Sequence, residues 1–205
     1  MKYTAKLLRK EVVAEATAAF HFEKPKGFEY MAGQTIDLTL LNPAETDKDG
    51  NTRPYTIASA PHEDDLIIAT RMRDSSFKRT LRDAGEGLLI EMEGPFGSFT
   101  LHENIRRPAI ILVGGIGITP FRSMIMDALH RNLPHQIYLF YSNRTPQGAP
   151  FLAEFEALSK KSKQFVLVST MTDKNIGPEW KGEKGYITLQ MIQKYVPQRE
   201  NALYY

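Results

Sequence analysis

The chain has 205 residues, 42% hydrophobic and 24% charged, proportions of an ordinary folded protein that exclude a disordered or fibrous class. That length accommodates one large domain or two of about 100 residues each. The formal net charge of +2 from 26 basic and 24 acidic side chains gives no electrostatic case for nucleic-acid binding, and the absence of cysteine excludes disulfides, thiolate zinc sites, a cysteine nucleophile and a cysteine-held iron-sulfur cluster within this chain.

From Lys2 to about Phe99 the pattern is one of short strands: Lys6 to Val13, Thr35 to Leu41, Leu66 to Met72 and Leu88 to Met92, parted by turn-forming segments such as Asn42-Pro43 and Asp47 to Asn51. One amphipathic stretch interrupts them, with Phe77, Leu81 and Ala84 on a short helix face and Gly85 and Gly87 ending it. Strands without long intervening helices predict an antiparallel barrel or sandwich.

After Arg106-Arg107-Pro108 the pattern changes. Ala109 to Val113 is a continuous apolar run, as a parallel strand covered on both faces requires, and a glycine-rich turn follows it. Pro120 opens a helix whose face carries Phe121, Met124, Ile125, Ala128 and Leu129, with Asn132 and Pro134 at its end. Strand Gln136 to Tyr141, helix Phe151 to Lys160, strand Gln164 to Ser169 and a helix from Leu189 to Tyr195 capped by Thr188 repeat the alternation. Two domains are expected, residues 1–104 as an antiparallel β-barrel and residues 105–205 as an α/β domain with a parallel sheet, joined near residues 103–108. No apolar segment of signal-peptide length follows Met1 and none approaches the ~18 residues of a membrane span, so a cytoplasmic protein is expected.

Two clusters carry chemistry. Gly114-Gly115-Ile116-Gly117-Ile118-Thr119-Pro120 lies between a buried strand and a helix, where glycines let a phosphate approach backbone N–H groups and the helix dipole favours negative charge. Taken alone it also serves as a tight turn with no ligand, since Pro120 replaces the third small residue of the usual dinucleotide fingerprint. Arg53-Pro54-Tyr55-Thr56-Ile57-Ala58-Ser59-Ala60-Pro61 lies on or beside a strand, with Arg53 and Tyr55 on one face and Thr56 on the other. Arginine holds phosphate bidentately and a tyrosine ring stacks on a flat heterocycle, but on its own such a pair is more often an ordinary cross-strand contact.

Together, Arg-x-Tyr-Ser/Thr followed further along the chain by Gly-Gly-x-Gly-Ile-Thr-Pro resembles the ferredoxin-NADP reductase superfamily, which pairs an FAD-binding β-barrel with a nicotinamide-nucleotide domain. Ala32-Gly33-Gln34 with alternating Ile36, Leu38 and Leu40, the turn Gly94-Pro95-Phe96-Gly97-Ser98-Phe99, and Tyr141-Ser142-Asn143-Arg144-Thr145 are similar to further stretches of that family, in the same order.

The resemblance implies FAD as cofactor and NADH or NADPH as co-substrate. Arg53 would bind an FAD phosphate, with Pro54 beside it, Tyr55 would stack on the isoalloxazine, and the Thr56 hydroxyl would approach the ring nitrogen that receives hydride. Thr70, Arg71 and Met72 would bracket the flavin, and Ser76, Phe77 and Lys78 would present a helix N-terminus to its pyrophosphate; many relatives have serine where Lys78 falls. Gly114, Gly115, Gly117, Thr119 and Pro120 would face the nicotinamide nucleotide, and Ser142 and Arg144 would line its loop. Arg71, Arg73, Lys78, Arg79 and Arg82 admit three readings: phosphate contacts, a solvated face, or a surface that steers an acidic electron carrier.

NADH against NADPH stays open with a lean to NADH, because Ser169-Thr170-Met171-Thr172 stands where plant-type relatives carry Ser-Arg, while Arg144 could substitute. Ala202-Leu203-Tyr204-Tyr205 resembles the start of the family's last core strand, which normally continues into Cys-Gly-Pro, a helix and a C-terminal segment near the flavin, so the second domain reads as incomplete at its end. His21, His62, His102, His130 and His135 show no ligand spacing, and Met124 and Met126 read as helix packing. The expected function is hydride transfer from NAD(P)H to FAD, with electrons passed to a separate carrier such as a ferredoxin or other iron-sulfur protein. A free-flavin or ferric-chelate reductase is the alternative within the enzyme class, and a non-catalytic flavin-binding subunit the alternative outside it.

Overall fold

The computed structural model describes residues 1–205. The first half forms β1 (Lys2–Ala14), β2 (Thr17–Glu23), β3 (Thr35–Leu40), β4 (Thr52–Thr56) and β5 (Asp65–Arg71), then helix α1 (Ser76–Asp83) and β6 (Leu89–Phe96). These strands make one six-stranded sheet in the order β4-β3-β6-β1-β2-β5, with every pairing antiparallel. The sheet curls on itself: beyond β4, the Ala58 N–H donates to the Ile67 carbonyl of β5 at 2.7 Å, bringing opposite edges together. Strand alternation drives the curl, since Ile36, Leu38 and Leu40 of β3 and Ile90 and Met92 of β6 all turn inward onto a core with Phe20, Phe22 and Phe77. β2 extends beyond the strands read from the sequence, and α1 falls where its apolar spacing predicts, with the Ser75 hydroxyl accepting from the Lys78 N–H as N-cap.

β5 is buried along most of both faces. Leu66 and Ile68 enter the first core, whereas Ile67 and Ala69 pack with Ala19 and Ala58 against Ile116 and Phe151 of the second domain. That explains a central apolar run in a sheet otherwise alternating.

The second half contains β7 (Ala109–Gly114), a 3₁₀ turn over Gly115–Ile118, α2 (Thr119–His130), β8 (Ile137–Asn143), α3 (Leu152–Lys161), β9 (Phe165–Met171), β10 (Glu183–Lys184), α4 (Leu189–Tyr195), a second 3₁₀ turn over Arg199–Asn201 and β11 (Leu203–Tyr204). All its strand pairs are parallel, in the order β10-β9-β8-β7-β11. One sheet face, with Ile111, Leu139, Tyr141 and Phe165, is covered by α2 and α3, and the other, with Ile110, Phe140 and Val168, by α4. Phe151, expected to open α3, is instead its N-cap in the left-handed region at φ 59°. The final strand is held more firmly than a half-formed edge: the Tyr205 N–H donates to the Ile110 carbonyl and its own carbonyl accepts from Leu112, and its phenol lies 2.8 Å from His102 Nδ1. No helix is long and apolar enough to cross a membrane.

Candidate functional site

β4 is an edge strand, which is why Pro54, lacking an N–H, is tolerated within it. Its alternation sets Arg53 and Tyr55 over the same side of Phe77: the Arg53 guanidinium carbon lies 5.2 Å from the Phe77 ring centroid, and the Tyr55 ring centroid lies 6.0 Å from it. Phe77 itself is 1% exposed and belongs to the barrel core. Its side chain supports the two residues above it, while its backbone lies in the first turn of α1. Burial raises the Tyr55 phenol to about 12, with the Thr70 hydroxyl opposing the shift, so Tyr55 is a neutral ring at physiological pH. Thr56, partly exposed, ends the strand opposite Thr35 of β3.

Arg53 is not free in solution. Nη2 donates to Asp47 Oδ1 at 2.8 Å, and Nη1 donates to the carbonyls of Asp49, Gly50 and Thr52. The other oxygen of Asp47 accepts from the buried Ser76 hydroxyl at 2.7 Å, at the start of α1. One carboxylate thus occupies a place where an arginine, a serine hydroxyl and the N-terminal end of a helix converge. Hydrogen bonding from Ser76 is the main reason the Asp47 acid is held below its ordinary value. Arg53 and Ser76 thus share one negatively charged oxygen group, the kind of group a phosphate also presents. The sequence offered no signal for Asp47 beyond its place in a turn.

Lys78 follows in the first turn of α1. Its ammonium donates to the Arg71 carbonyl at 2.8 Å, and burial, followed by Arg73 and Arg53, lowers its pKa. Lys78 buttresses the end of β5. Thr70 is buried, and Met72 packs on the barrel core. Of the basic residues, Arg79 is bound by Glu45 and Asp74 and Arg82 by Asp83, while Arg71 and Arg73 enter no ion pair.

Arg71 bridges to the second cluster. A Cβ on Gly115 would stand 3.0 Å from Arg71 Nη2, and Gly115 has φ +55°, so the glycine permits both the turn and the close approach of a cation. Gly114 and Gly117 are exposed at the same turn, and Pro120 sits in the first turn of α2. Thr119 is 7% exposed, and its hydroxyl donates to the Ile116 carbonyl at 3.3 Å, so it closes the turn rather than facing outward. Gly114 pairs with Ser142 at the carboxyl ends of β7 and β8, beside a cavity of about 290 Å³ walled by Val113, Tyr186 and Ile187. Carboxyl ends of parallel strands are where open α/β sheets bind ligands. Arg144 is solvent-facing, its Nε 3.6 Å from Asp173 Oδ2. Next to it, Asn143 is 5% exposed with both amide atoms unpartnered, an orphaned polar group the sequence did not single out.

The candidate residues therefore fall in two groups, Arg53, Tyr55, Thr56 and Ser76 on the barrel and Gly114 to Gly117 with Ser142 on the parallel sheet, with Arg71 reaching Gly115 from β5. Two larger cavities, of about 670 and 730 Å³, lie elsewhere along the seam and include none of these residues.

Residues 111–205 match the oxidoreductase NAD-binding domain family. The chain is 28% identical over 198 residues to ferredoxin–NADP reductase B of Sorangium cellulosum strain So ce56, covering 94% of this chain and 78% of that protein. It is 28% identical over 176 residues to reductase component 1 of terephthalate 1,2-dioxygenase from Comamonas sp., covering 84% of this chain but only half of that protein. Among solved structures, a ferredoxin NADP⁺ reductase from Neisseria gonorrhoeae with bound FAD and NADP superposes with TM-score 0.79 at 20% identity, over 99% of this chain and 83% of that one.

Proposed function

Because this chain belongs to the ferredoxin–NADP reductase-like superfamily of FAD- and NAD(P)-binding oxidoreductases, we propose that it binds FAD on its barrel, takes hydride from a nicotinamide nucleotide and passes electrons to a separate carrier protein such as a ferredoxin or other iron-sulfur protein. The observation that carries this reading is the Asp47 carboxylate held jointly by Arg53 and Ser76, an anion cradle beside the neutral aromatic face of Tyr55. FAD, when bound, supplies the hydride-accepting and electron-splitting chemistry. The protein's own residues bind and orient. Arg53 and Ser76 exchange Asp47 for phosphate oxygen, Tyr55 offers a rigid ring kept uncharged by burial, and Thr56 places a hydroxyl at the end of the same strand. Gly115 and its neighbours bring backbone N–H groups to a second anion, with Arg71 adding positive charge from across the seam. No side chain has to act as general acid or base.

NADH is the favoured nucleotide. The Thr170 hydroxyl is spent on the Gly185 carbonyl at 2.6 Å, and the Arg144 charge is partly offset by Asp173, which leaves little cationic character for a 2′-phosphate. Asp47 also favours a second reading. A carboxylate already in the cradle competes with phosphate, and a loosely held flavin is what a free-flavin or ferric-chelate reductase would show.

Purification followed by chromatographic identification of the released flavin, with FAD affinity measured by fluorescence titration, separates these readings. FAD that survives gel filtration supports the electron-transfer enzyme, FAD that is lost but rebinds supports the free-flavin reductase, and failure to bind FAD contradicts both.

A further inference from the structure

Arg122 lies on α2, three residues beyond Thr119, and is only 6% exposed. Every donor of its guanidinium is used. Nε and Nη2 donate to the two oxygens of Glu154 on α3 at 2.8 and 2.7 Å, and Nη1 and Nη2 donate to the two oxygens of Glu63 at 2.9 and 3.0 Å. Nη1 also reaches the Ala58 carbonyl at 2.9 Å. Glu63 belongs to the barrel and is itself fixed there, one oxygen accepting from the Ala60 N–H at 2.6 Å. The next residue, Ser123, donates to the Ser59 carbonyl at 2.6 Å, and Ser59 is wholly buried and bonded to Tyr30 and the Ile67 N–H.

A surface arginine would not be organised this way. Bidentate bonds to two carboxylates demand the planar fork of a guanidinium, and the two carboxylates come from different domains. The segment it grips, Ala58 to Glu63, begins two residues after Thr56, and its own helix begins at the glycine turn. Both lever arms are short, so this contact ties the two domains together close to the flavin-binding motif and the glycine turn.

We infer that Arg122, through Glu63, sets the spacing between the flavin-binding motif and the glycine turn, and is a positioning residue for hydride transfer. This rests on the hydride-transfer reading above. Reaction rates depend steeply on such spacing, with about 1 Å of misplacement costing on the order of 100-fold. Glu154 is the internal control: it grips the same guanidinium, but from Arg122's own domain.

The chain has no cysteine, so spin labels at Lys26→Cys and Lys163→Cys, exposed positions on the barrel and the α/β domain, report the distance between domains by pulsed electron paramagnetic resonance on the FAD-loaded protein. The wild-type distribution is expected to be narrow. Arg122→Lys and Glu63→Gln are expected to broaden it, to slow stopped-flow hydride transfer by about tenfold or more, and to weaken the nicotinamide–flavin charge-transfer absorbance while FAD stays bound. Glu154→Gln should keep the narrow distribution and lose less rate than Glu63→Gln. The inference is overturned if the wild-type distribution is already broad, if Glu63→Gln and Glu154→Gln behave alike, or if Glu63→Gln broadens the distances without slowing the transfer. Should neither nucleotide reduce the wild-type flavin, the function proposed above fails while the distance data still decide whether Arg122 fixes the domains; Glu63→Gln serves if Arg122→Lys does not fold.

Discussion

Substituting Gly33 by alanine tests how closely the barrel loop at Gly33 packs on the Phe99 backbone and the Met124 side chain of α2. Gly33 has φ +101°, and a Cβ there would stand 2.2 Å from the Phe99 carbonyl oxygen and 2.4 Å from Met124 Cε. The methionine tip can swing away, but the carbonyl belongs to the backbone. Holding alanine at this φ costs about 1–3 kcal/mol, and relieving the overlap costs about 1–3 kcal/mol more. The sum, about 4 kcal/mol, corresponds to a fall in Tm of roughly 8–16 °C for a chain of this size. Gly27→Ala isolates the first contribution, because Gly27 has φ +79° with nothing within 4 Å of its added Cβ; its Tm should fall by roughly 2–12 °C. Thermal unfolding followed by circular dichroism compares the two. If Gly33→Ala falls no further than Gly27→Ala, the contact between Gly33, Phe99 and α2 is looser than described and the reasoning fails.

Arg53→Ala and Ser76→Ala should each weaken FAD binding by about 10- to 150-fold, the equivalent of one charge-assisted hydrogen bond, whereas Asp47→Ala should tighten it by removing the competing carboxylate; fluorescence titration showing the same sign for all three would dismiss the shared cradle. Stability should fall at alkaline pH. The Tyr55 pKa is raised above its unfolded value of about 10 to about 12, so the folded state holds its proton more tightly, and the stability of the neutral ring, complete below about pH 10, is lost as pH rises towards 12. Urea denaturation of the Tyr55→Phe variant should show a shallower decline over that range, by about 1.4 kcal/mol per pH unit; an unchanged slope would mean Tyr55 is not titrating from a buried state.

Much of this molecule is legible in its sequence. Period-two alternation in Ile36, Leu38 and Leu40 and the unbroken apolar run from Ala109 identify sheets of different kinds, because burial on one face or two leaves different patterns. Arg53, Tyr55 and the glycine turn stand out together, because each alone reads as ordinary and only their order along the chain resembles a known family. What escaped were partners brought together by tertiary structure alone. Asp47 meets Ser76 across 29 positions, and Glu63 meets Arg122 across 59, separations at which no periodicity operates. Arg122 did leave a trace, since it occupies the buried side of α2 one turn before Ile125, where an apolar residue would be expected. Phe77, Leu81 and Ala84 are legible as the apolar face of α1 from their spacing, and that face packs on the barrel core.

The central claim, that nicotinamide nucleotide delivers hydride to FAD held on the barrel, is tested most directly by anaerobic titration of the FAD-loaded protein with NADH and with NADPH while the absorbance of oxidised flavin is followed. The account predicts bleaching by stoichiometric NADH, with NADPH slower and dependent on Arg144. Flavin that stays oxidised with both nucleotides would contradict it.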